Sequence, residues 1–409
     1  MAERLLVIAP HPDDESLGAA ALIAKERQQG AEVFVVMATL GDGFMEDAAR
    51  YYLSLDVNHE EYLHMGYERQ KETIGAMAAL GVDESHVYCL GFPDGGLDAL
   101  WRTHWDGEAW HSSTTGKNSV PYLSAWRPET PYLGKNVLKL LLDIYDEVRP
   151  DRIILPSAFD THPDHWATNA FGTLAWAEMA RRRPEYQAIP RWGYLVHWPA
   201  WPFPLAFRPN MPFEMPKSLL SLGEEPCHSE PVNNEQIESK RRALLAHESQ
   251  TELIKPFMLA FCRQSEAFWQ EQLWRAELLP GGVQVSNPAT DWRSRLVLRH
   301  HPLMGAIWGR SPESDYVEVN IKGGLSMENR LEIGLHVADG SSRHYQWMVA
   351  HGERVPGVRT AVGPGAFRVM WPREWIGDSS VVMAGVQLYV RGKCEGKVPF
   401  RPIVWPKNA

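Results

Sequence analysis

The chain has 409 residues, 44% of them apolar, which allows an ordinary hydrophobic core and more than one domain. Its formal net charge of −10, with no long run of Lys or Arg, argues against nucleic acid as a partner. Four scattered cysteines, at 89, 227, 262 and 394, lack CxxC spacing and argue against a cysteine-held zinc or a dense disulfide framework. No apolar run reaches signal-peptide or membrane-span length, so a soluble, cytoplasmic protein is expected.

Leu5-Leu6-Val7-Ile8 predicts a buried strand over 4–9, and a helix is expected over 15–29, ended by Gly30. Val33 to Ala38 reads as a second buried strand. Strand, helix, strand with near-continuous apolar strands implies a parallel sheet covered on both faces. A helix is predicted over 60–80, carrying Met65, Arg69, Thr73 and Ala76. Val87 to Leu90 is a third strand, leading into the turn Phe92-Pro93-Asp94-Gly95-Gly96. Residues 97–135 look irregular and hold Trp101, Trp105, Trp110 and Trp126, and a loop of that length is often functional. A helix over 136–149, a strand over 152–156 and a helix over 165–182 follow.

Tyr194 to His197 reads as a further strand, followed by the proline- and aromatic-rich stretch Trp198 to Pro204, which suits the wall of a substrate cleft. Residues 235–248 and 252–277 are helical in character. The composition shifts near Pro280-Gly281-Gly282. Beyond it, alternating runs at Tyr316–Ile321, Leu331–Val337, Tyr345–Val349 and Val381–Val390 predict an all-β sandwich. The expected fold is therefore α/β, a Rossmann-like mostly parallel sheet with helices on both faces over 1–280, plus a sandwich-like β domain over 285–409.

Two clusters carry the chemistry. Ala9-Pro10-His11-Pro12-Asp13-Asp14-Glu15 follows the first strand, and His162-Pro163-Asp164-His165 follows the strand at 152–156. In open α/β sheets, sites form outside the C-terminal strand ends. His11 and Asp14, three apart on a tight turn entering a helix, can face one point, and His165 completes two imidazoles and a carboxylate. That set suits a catalytic zinc, which keeps one position for water, and equally Fe²⁺ or another divalent metal. Such a metal acidifies its water and polarises a carbonyl. Asp13, beside a ligand, is free to act as general base. His162 can sit opposite as an imidazolium that stabilises an oxyanion or protonates a leaving amine. Asp164 can orient one histidine through a ring N–H. The turn after Phe92 can bring Asp94 to the site, and His197 ends a strand on the same side. Taken alone, His-Pro-Asp-Asp is also a good helix start.

The two clusters together resemble the PIG-L (LmbE-like) zinc deacetylases over roughly residues 4–270. The resemblance implies a Rossmann-like fold and removal of an N-acetyl group from an N-acetylglucosamine conjugate, such as a glycosyl-phosphatidylinositol or thiol-cofactor precursor. It implies His11, Asp14 and His165 as metal ligands, Asp13 as base and His162 as the charge-stabilising histidine. It implies Arg69 as a substrate contact, matches Asp94 to the family's Pro-Asp-Gly turn, and includes Ser249-Gln250. The β-rich tail lies outside it. The expected partner is an N-acetylated amino-sugar conjugate, with membrane contact only through a lipid-linked form. The rivals are a related amidase acting on a non-sugar or thiol-conjugate amide, and a carbohydrate-binding protein with an inactive site. A nicotinamide dehydrogenase is disfavoured, because the first strand-to-helix turn lacks Gly-x-Gly-x-x-Gly.

Overall fold

The computed structural model of the protein describes residues 2–44, 48, 51–52, 56–220, 227–275, 283–286, 303–322, 328–350, 352–363, 365–377 and 381–405. Two compact units emerge. The first comprises Met1–Met179, Pro184–Pro216 and Glu225–Glu271; the second comprises Ala180–Arg183, Lys217–Glu224 and Gln272–Ala409. The composition break expected at Pro280 to Gly282 lies outside the described residues.

In the first unit, β1 (Arg4–Ala9), α1 (Asp14–Gln28), β2 (Glu32–Thr39), α2 (His59–Ala79) and β3 (Val87–Phe92) follow the expected order. They continue through α3 (Leu97–Arg102), α4 (Gly134–Val148), β4 (Arg152–Pro156), α5 (Pro163–Arg182) and β5 (Arg191–Tyr194). The unit closes with β6 (Cys227–Pro231), α6 (Asn234–Ala246), α7 (Glu248–Leu259) and β7 (Ser265–Gln270). The sheet order is β3-β2-β1-β4-β5-β7-β6. The first five strands run parallel; β7 pairs antiparallel with β5, and β6 pairs antiparallel with β7. Strand order reverses between β1 and β4, which pair directly through Leu5↔Arg152 to Val7↔Ile154. That reversal opens a crevice at the C-terminal strand ends, where ligands bind in such sheets. Leu5 to Ala9 are fully buried, as the unbroken apolar run requires of a strand covered on both faces.

Three expectations are corrected. Within 97–135, residues Leu97–Arg102 form a short helix whose Leu97, Leu100 and Trp101 are buried. The fifth strand is Arg191–Tyr194, three residues earlier than the alternation at 194–197 indicated. The N–H groups of Val196 and His197 donate to the Asp160 carboxylate instead of a neighbouring strand, which ends the pairing. The helix expected over 252–277 stops at Leu259, and Ser265–Gln270 is a strand. Pro256 lies inside α7, with non-helical angles at Ile254, and a short apolar run such as Ala267-Phe268-Trp269 has no period of its own to separate strand from helix.

The second unit is a β-sandwich of two five-stranded sheets. One has the order β14-β15-β11-β10-β9, from β9 (Val283–Ser286), β10 (Leu303–Arg310), β11 (Ser314–Ile321), β14 (Arg359–Gly363) and β15 (Ala366–Pro372). The other is β13-β12-β16-β17-β8, from β8 (Trp274–Arg275), β12 (Asn329–Val337), β13 (His344–Ala350), β16 (Val381–Val390) and β17 (Lys393–Val404). Their inner faces share one core that includes Trp308, Val317, Leu331, Val349, Trp371 and Val386. Alternating positions face inward, as the period-two patterning required.

Candidate active site

Five neighbouring strand ends meet at the crevice. The loop after β1 supplies His11, Asp13 and Asp14; the one after β2, Asp42; the one after β3, Asp94. The loop after β4 and the first turn of α5 supply Asp160, His162, Asp164 and His165, and the chain after β5 supplies His197.

The first turn is held tightly. The Pro10 carbonyl accepts from Thr39 N–H and Oγ1, both at 2.9 Å. The Asp13 carbonyl accepts from the N–H groups of Ser16 and Leu17, at 3.0 and 2.8 Å, starting α1. Asp13 thus occupies the helix N-cap position, yet its side chain makes no capping hydrogen bond. Its backbone has φ 113° and ψ −29°. For a residue with a Cβ such angles cost roughly 1–3 kcal/mol and persist only where surrounding contacts impose them. The carboxylate is thereby left for something other than starting a helix.

Asp14 Oδ2 lies 3.0 Å from His11 Nδ1 and 3.1 Å from His165 Nε2. Atoms that share one cation at ~2.0–2.2 Å stand about 3–3.5 Å apart, so each of these two pairs fits a shared ion. Among the described residues, the donor sets whose atoms all lie within 4.8 Å of one another are His11–His162–His165, Asp14–His165–His197 and His11–Asp94–Asp164. Both ring nitrogens of fully buried His165 sit beside carboxylates without hydrogen-bond geometry, which leaves a donor atom free for an ion. The donor chemistry and the geometry therefore fit a divalent cation. His162 and His197 complete a tight set of rings: His162 centres lie 4.9 Å from His11 and 5.0 Å from His165, and His197 lies 4.6 Å from His165. Oxygens of Asp164 and Asp94 stand 3.2 and 3.1 Å from His11 Nε2, the far side of that ring. Asp164 also accepts from the N–H groups of Gly95 and Leu97, at 2.7 and 2.9 Å, and Asp94 accepts from Gly43 N–H at 2.9 Å. Arg69 reaches the site as well, 3.8 Å from Asp13 Oδ2. Its terminal nitrogens donate to the carbonyls of Gly41 and Pro12, each at 2.8 Å, so here it pins two loops. All nine residues singled out in the sequence converge on this crevice.

The electrostatics follow from burial and crowding. Burial and the neighbouring Asp14 carboxylate push the Asp13 pKa up to about 8, against Arg69 and His247. Burial also works to raise Asp14, but His165 and His11 outweigh it and hold its carboxyl well below the usual range. For His11 and His165 burial works downward, and the surrounding carboxylates win, raising His165 to about 9. Burial and the imidazoles of His11, His165 and His197 drive His162 down to about 2. In this arrangement burial and the neighbouring rings disfavour the charged form expected from the sequence.

Several participants escaped the sequence reading. Asp160 Oδ2 stands 3.2 Å from His165 Nδ1 and accepts from Val196 and His197 N–H, while Oδ1 accepts from His162 N–H at 2.9 Å. Its one signal is that it lies two residues before His162. Asp42 accepts from Asp94 N–H at 3.2 Å and from the Tyr122 hydroxyl, and burial lifts its pKa to about 7. Tyr122 had been placed only in an irregular stretch. His247 lies at the α6–α7 corner, just before Ser249-Gln250.

The family model described as GlcNAc-PI de-N-acetylase, PIG-L, matches residues 6–176. A 1D-myo-inositol 2-acetamido-2-deoxy-alpha-D-glucopyranoside deacetylase of Mycobacterium sp. strain KMS is 33% identical over 174 residues, covering 42% of this chain and 49% of the relative. An enzyme of the same name from a Nocardioides species is 31% identical over 180 residues, covering 44% and 55%. The chain spans about half the length of the curated relatives it matches. Among solved structures, N,N'-diacetylchitobiose deacetylase from Pyrococcus horikoshii shows 20% identity and a TM-score of 0.40, covering 65% of this chain and 83% of that one.

Proposed function

We propose, from the match of residues 6–176 to the PIG-L family model, that this chain is a metal-dependent N-deacetylase acting on an N-acetylglucosamine conjugate. The observation that carries the reading is Asp14 Oδ2 standing between His11 Nδ1 and His165 Nε2, with the uncommitted Asp13 carboxylate next in sequence. A divalent cation, zinc or another that suits two imidazoles and a carboxylate, held by His11, Asp14 and His165 would supply Lewis acidity toward a water and an acetyl carbonyl.

The chain's own residues carry the rest. Asp13, whose carboxylate makes no capping hydrogen bond, takes a proton from the attacking water as the new C–O bond forms. The neutral His162 ring, at the edge of the same cluster, donates a hydrogen bond to the carbonyl oxygen as charge develops there. When the C–N bond breaks, the proton held on Asp13 passes to the departing nitrogen, giving acetate and a free amine. Asp164 and Asp160 hold the rings of His11 and His165 in place from behind. Asp94 and His197 face the cluster as candidate contacts for the sugar. The mycobacterial relative is named for deacetylating an inositol-linked N-acetylated aminosugar. That supports an N-acetylglucosamine glycoside as the substrate class here.

The test is acetate release by the zinc-loaded protein from N-acetylglucosamine, its oligomers, its inositol and thiol-precursor conjugates and a lipid-linked form, with Asp13→Ala as the blank. Release above the blank from any sugar conjugate supports the reading and ranks the substrates. No release from any of them, with one metal bound per chain, moves the substrate outside amino sugars. Near-normal turnover by Asp13→Ala removes Asp13 from its role.

A further inference from the structure

The Pro12–Asp13 peptide is gripped at both ends. Its carbonyl accepts from Arg69 Nη2 at 2.8 Å, and its N–H donates to Glu15 Oε2 at 3.1 Å. With the peptide plane fixed there, and the Asp13 carbonyl committed to the first turn of α1, the rotation left at Asp13 is the strained φ of 113°. Glu15 is the weak point of this grip, since a buried carboxylate on a helix's first turn has rotamers to choose from. Its other oxygen is fixed by two groups: Ser16 Oγ donates to Glu15 Oε1 at 2.7 Å, and His247 Nε2 lies 3.0 Å from the same atom. Glu15, Ser16 and His247 are all fully buried.

His247 arrives from far along the chain, and its corner is fastened independently. Ser249 donates to Glu72 of α2 through both its N–H and its hydroxyl, each at 2.7 Å. Thr251 N–H donates to the His247 carbonyl at 2.9 Å. Lys240 of α6 donates to the Leu17 carbonyl of α1 at 2.7 Å, and Glu266 of β7 accepts from Ala21 and Leu22 N–H, at 3.1 and 2.8 Å. The α6–α7 corner is thus clamped to α1 and α2. The His247 Nδ1 atom finds no hydrogen-bond partner among the described residues, so its Glu15-facing nitrogen is the one used.

We propose that His247 and Glu15 form a positioning pair for Asp13, holding its peptide so that the strained backbone aims the carboxylate at the reacting water. Neither residue touches substrate. The kinetic part of this inference rests on the deacetylase reading; the conformational part does not.

Two measurements test it. In the zinc-loaded protein, His247→Leu is expected to lower kcat by about 10–100-fold with KM within about twofold and one metal per chain, as a misaimed but present base would. His247→Gln, whose amide can still donate toward Glu15 Oε1, is expected to recover kcat to within about fivefold of wild type. A folded His247→Leu protein with wild-type kcat, or a folded His247→Gln protein no better than the leucine variant, would overturn the pair. The second measurement uses metal-free protein and urea unfolding. Asp13→Gly should fold with an equilibrium constant about tenfold larger than Asp13→Ala while His247 is present, because glycine relieves the strain. In the His247→Leu background the gap should close or reverse, since a relaxed turn leaves glycine only its greater chain entropy in the unfolded state. An unchanged gap in both backgrounds overturns the inference. If the wild type releases no acetate from any substrate, the functional reading fails, and the unfolding comparison still decides the positioning role.

Discussion

Asp160→Asn is the most informative single change around the cluster. Asp160 serves four groups with two oxygens: Oδ2 accepts from Val196 and His197 N–H, both at 3.0 Å, and faces His165 Nδ1 at 3.2 Å, while Oδ1 accepts from His162 N–H at 2.9 Å. Asparagine keeps one acceptor oxygen. If that oxygen stays toward Val196 and His197, the new NH₂ faces His162 N–H, and the opposite flip strands two N–H groups. At least one partly or fully buried N–H is left unpaired, costing about 1–3 kcal/mol. His165 also loses its neighbouring carboxylate; with His165 as a ligand, as proposed, that change is expected to lower metal affinity roughly 10–100-fold. Urea unfolding of the metal-free protein reads the first effect, and a zinc competition titration against a chelating dye reads the second. Burial favours the neutral acid at Asp160, but His165 and the N–H donors outweigh it, so its folded pKa lies below the ordinary range near pH 4. Its stabilisation is therefore fully present above about pH 4 and is lost on acidifying below it, and the gap between wild type and variant should close there. A folded Asp160→Asn protein that binds zinc within twofold of wild type, with stability within about 0.5 kcal/mol, would refute this reasoning.

The pKa of Asp13 is raised from 3.8 to about 8, so between those values the folded metal-free protein binds more protons than the unfolded chain and loses stability as pH rises. Asp13→Asn should flatten that fall, read from urea midpoints between pH 4 and 8; an equally steep profile would sink the assignment. At Gly66 of α2, an added Cβ would enter the van der Waals envelope of the Tyr122 hydroxyl, which donates to Asp42. Helix propensity alone would make Gly66→Ala stabilising by about 1 kcal/mol, so a lower Tm together with a reduced kcat/KM is the expected sign that Tyr122 has been displaced. A raised Tm with unchanged turnover would show that Tyr122 has room to move.

The legible parts of the fold were those where one local pattern sufficed. The uninterrupted run Leu5 to Ala9 reads as a strand buried on both faces because it is short and runs straight into a proline-rich turn, and α4 shows its apolar stripe at helical spacing, with Val137, Leu141, Ile144 and Val148 all buried. The parallel order followed, because strands joined through helices pair that way. The misread stretches were those decided by distant partners. Leu195 and Val196 are as buried as any strand residue, but the Asp160 carboxylate takes the N–H groups of 196 and 197, and nothing near them in sequence announces it. The strand at Ser265–Gln270 exists because β5 and β6 offer edges on either side.

The site divides along the same line. Residues that face the cluster lie within two short motifs, and their types speak for themselves: imidazoles and carboxylates at strand ends. What holds them is written elsewhere. Asp13 looks like a helix cap in sequence, and only the structure shows its carboxylate released from capping and its backbone at positive φ, with Arg69 and Glu15 bonded to the preceding peptide and His247 against Glu15. Those three residues come from α2, the turn's own helix and a corner more than two hundred positions downstream. Glu15 and the first turn of α1 supply the local part of the grip that offsets a cost of roughly 1–3 kcal/mol, and on our inference Arg69 and the α6–α7 corner supply the remote part.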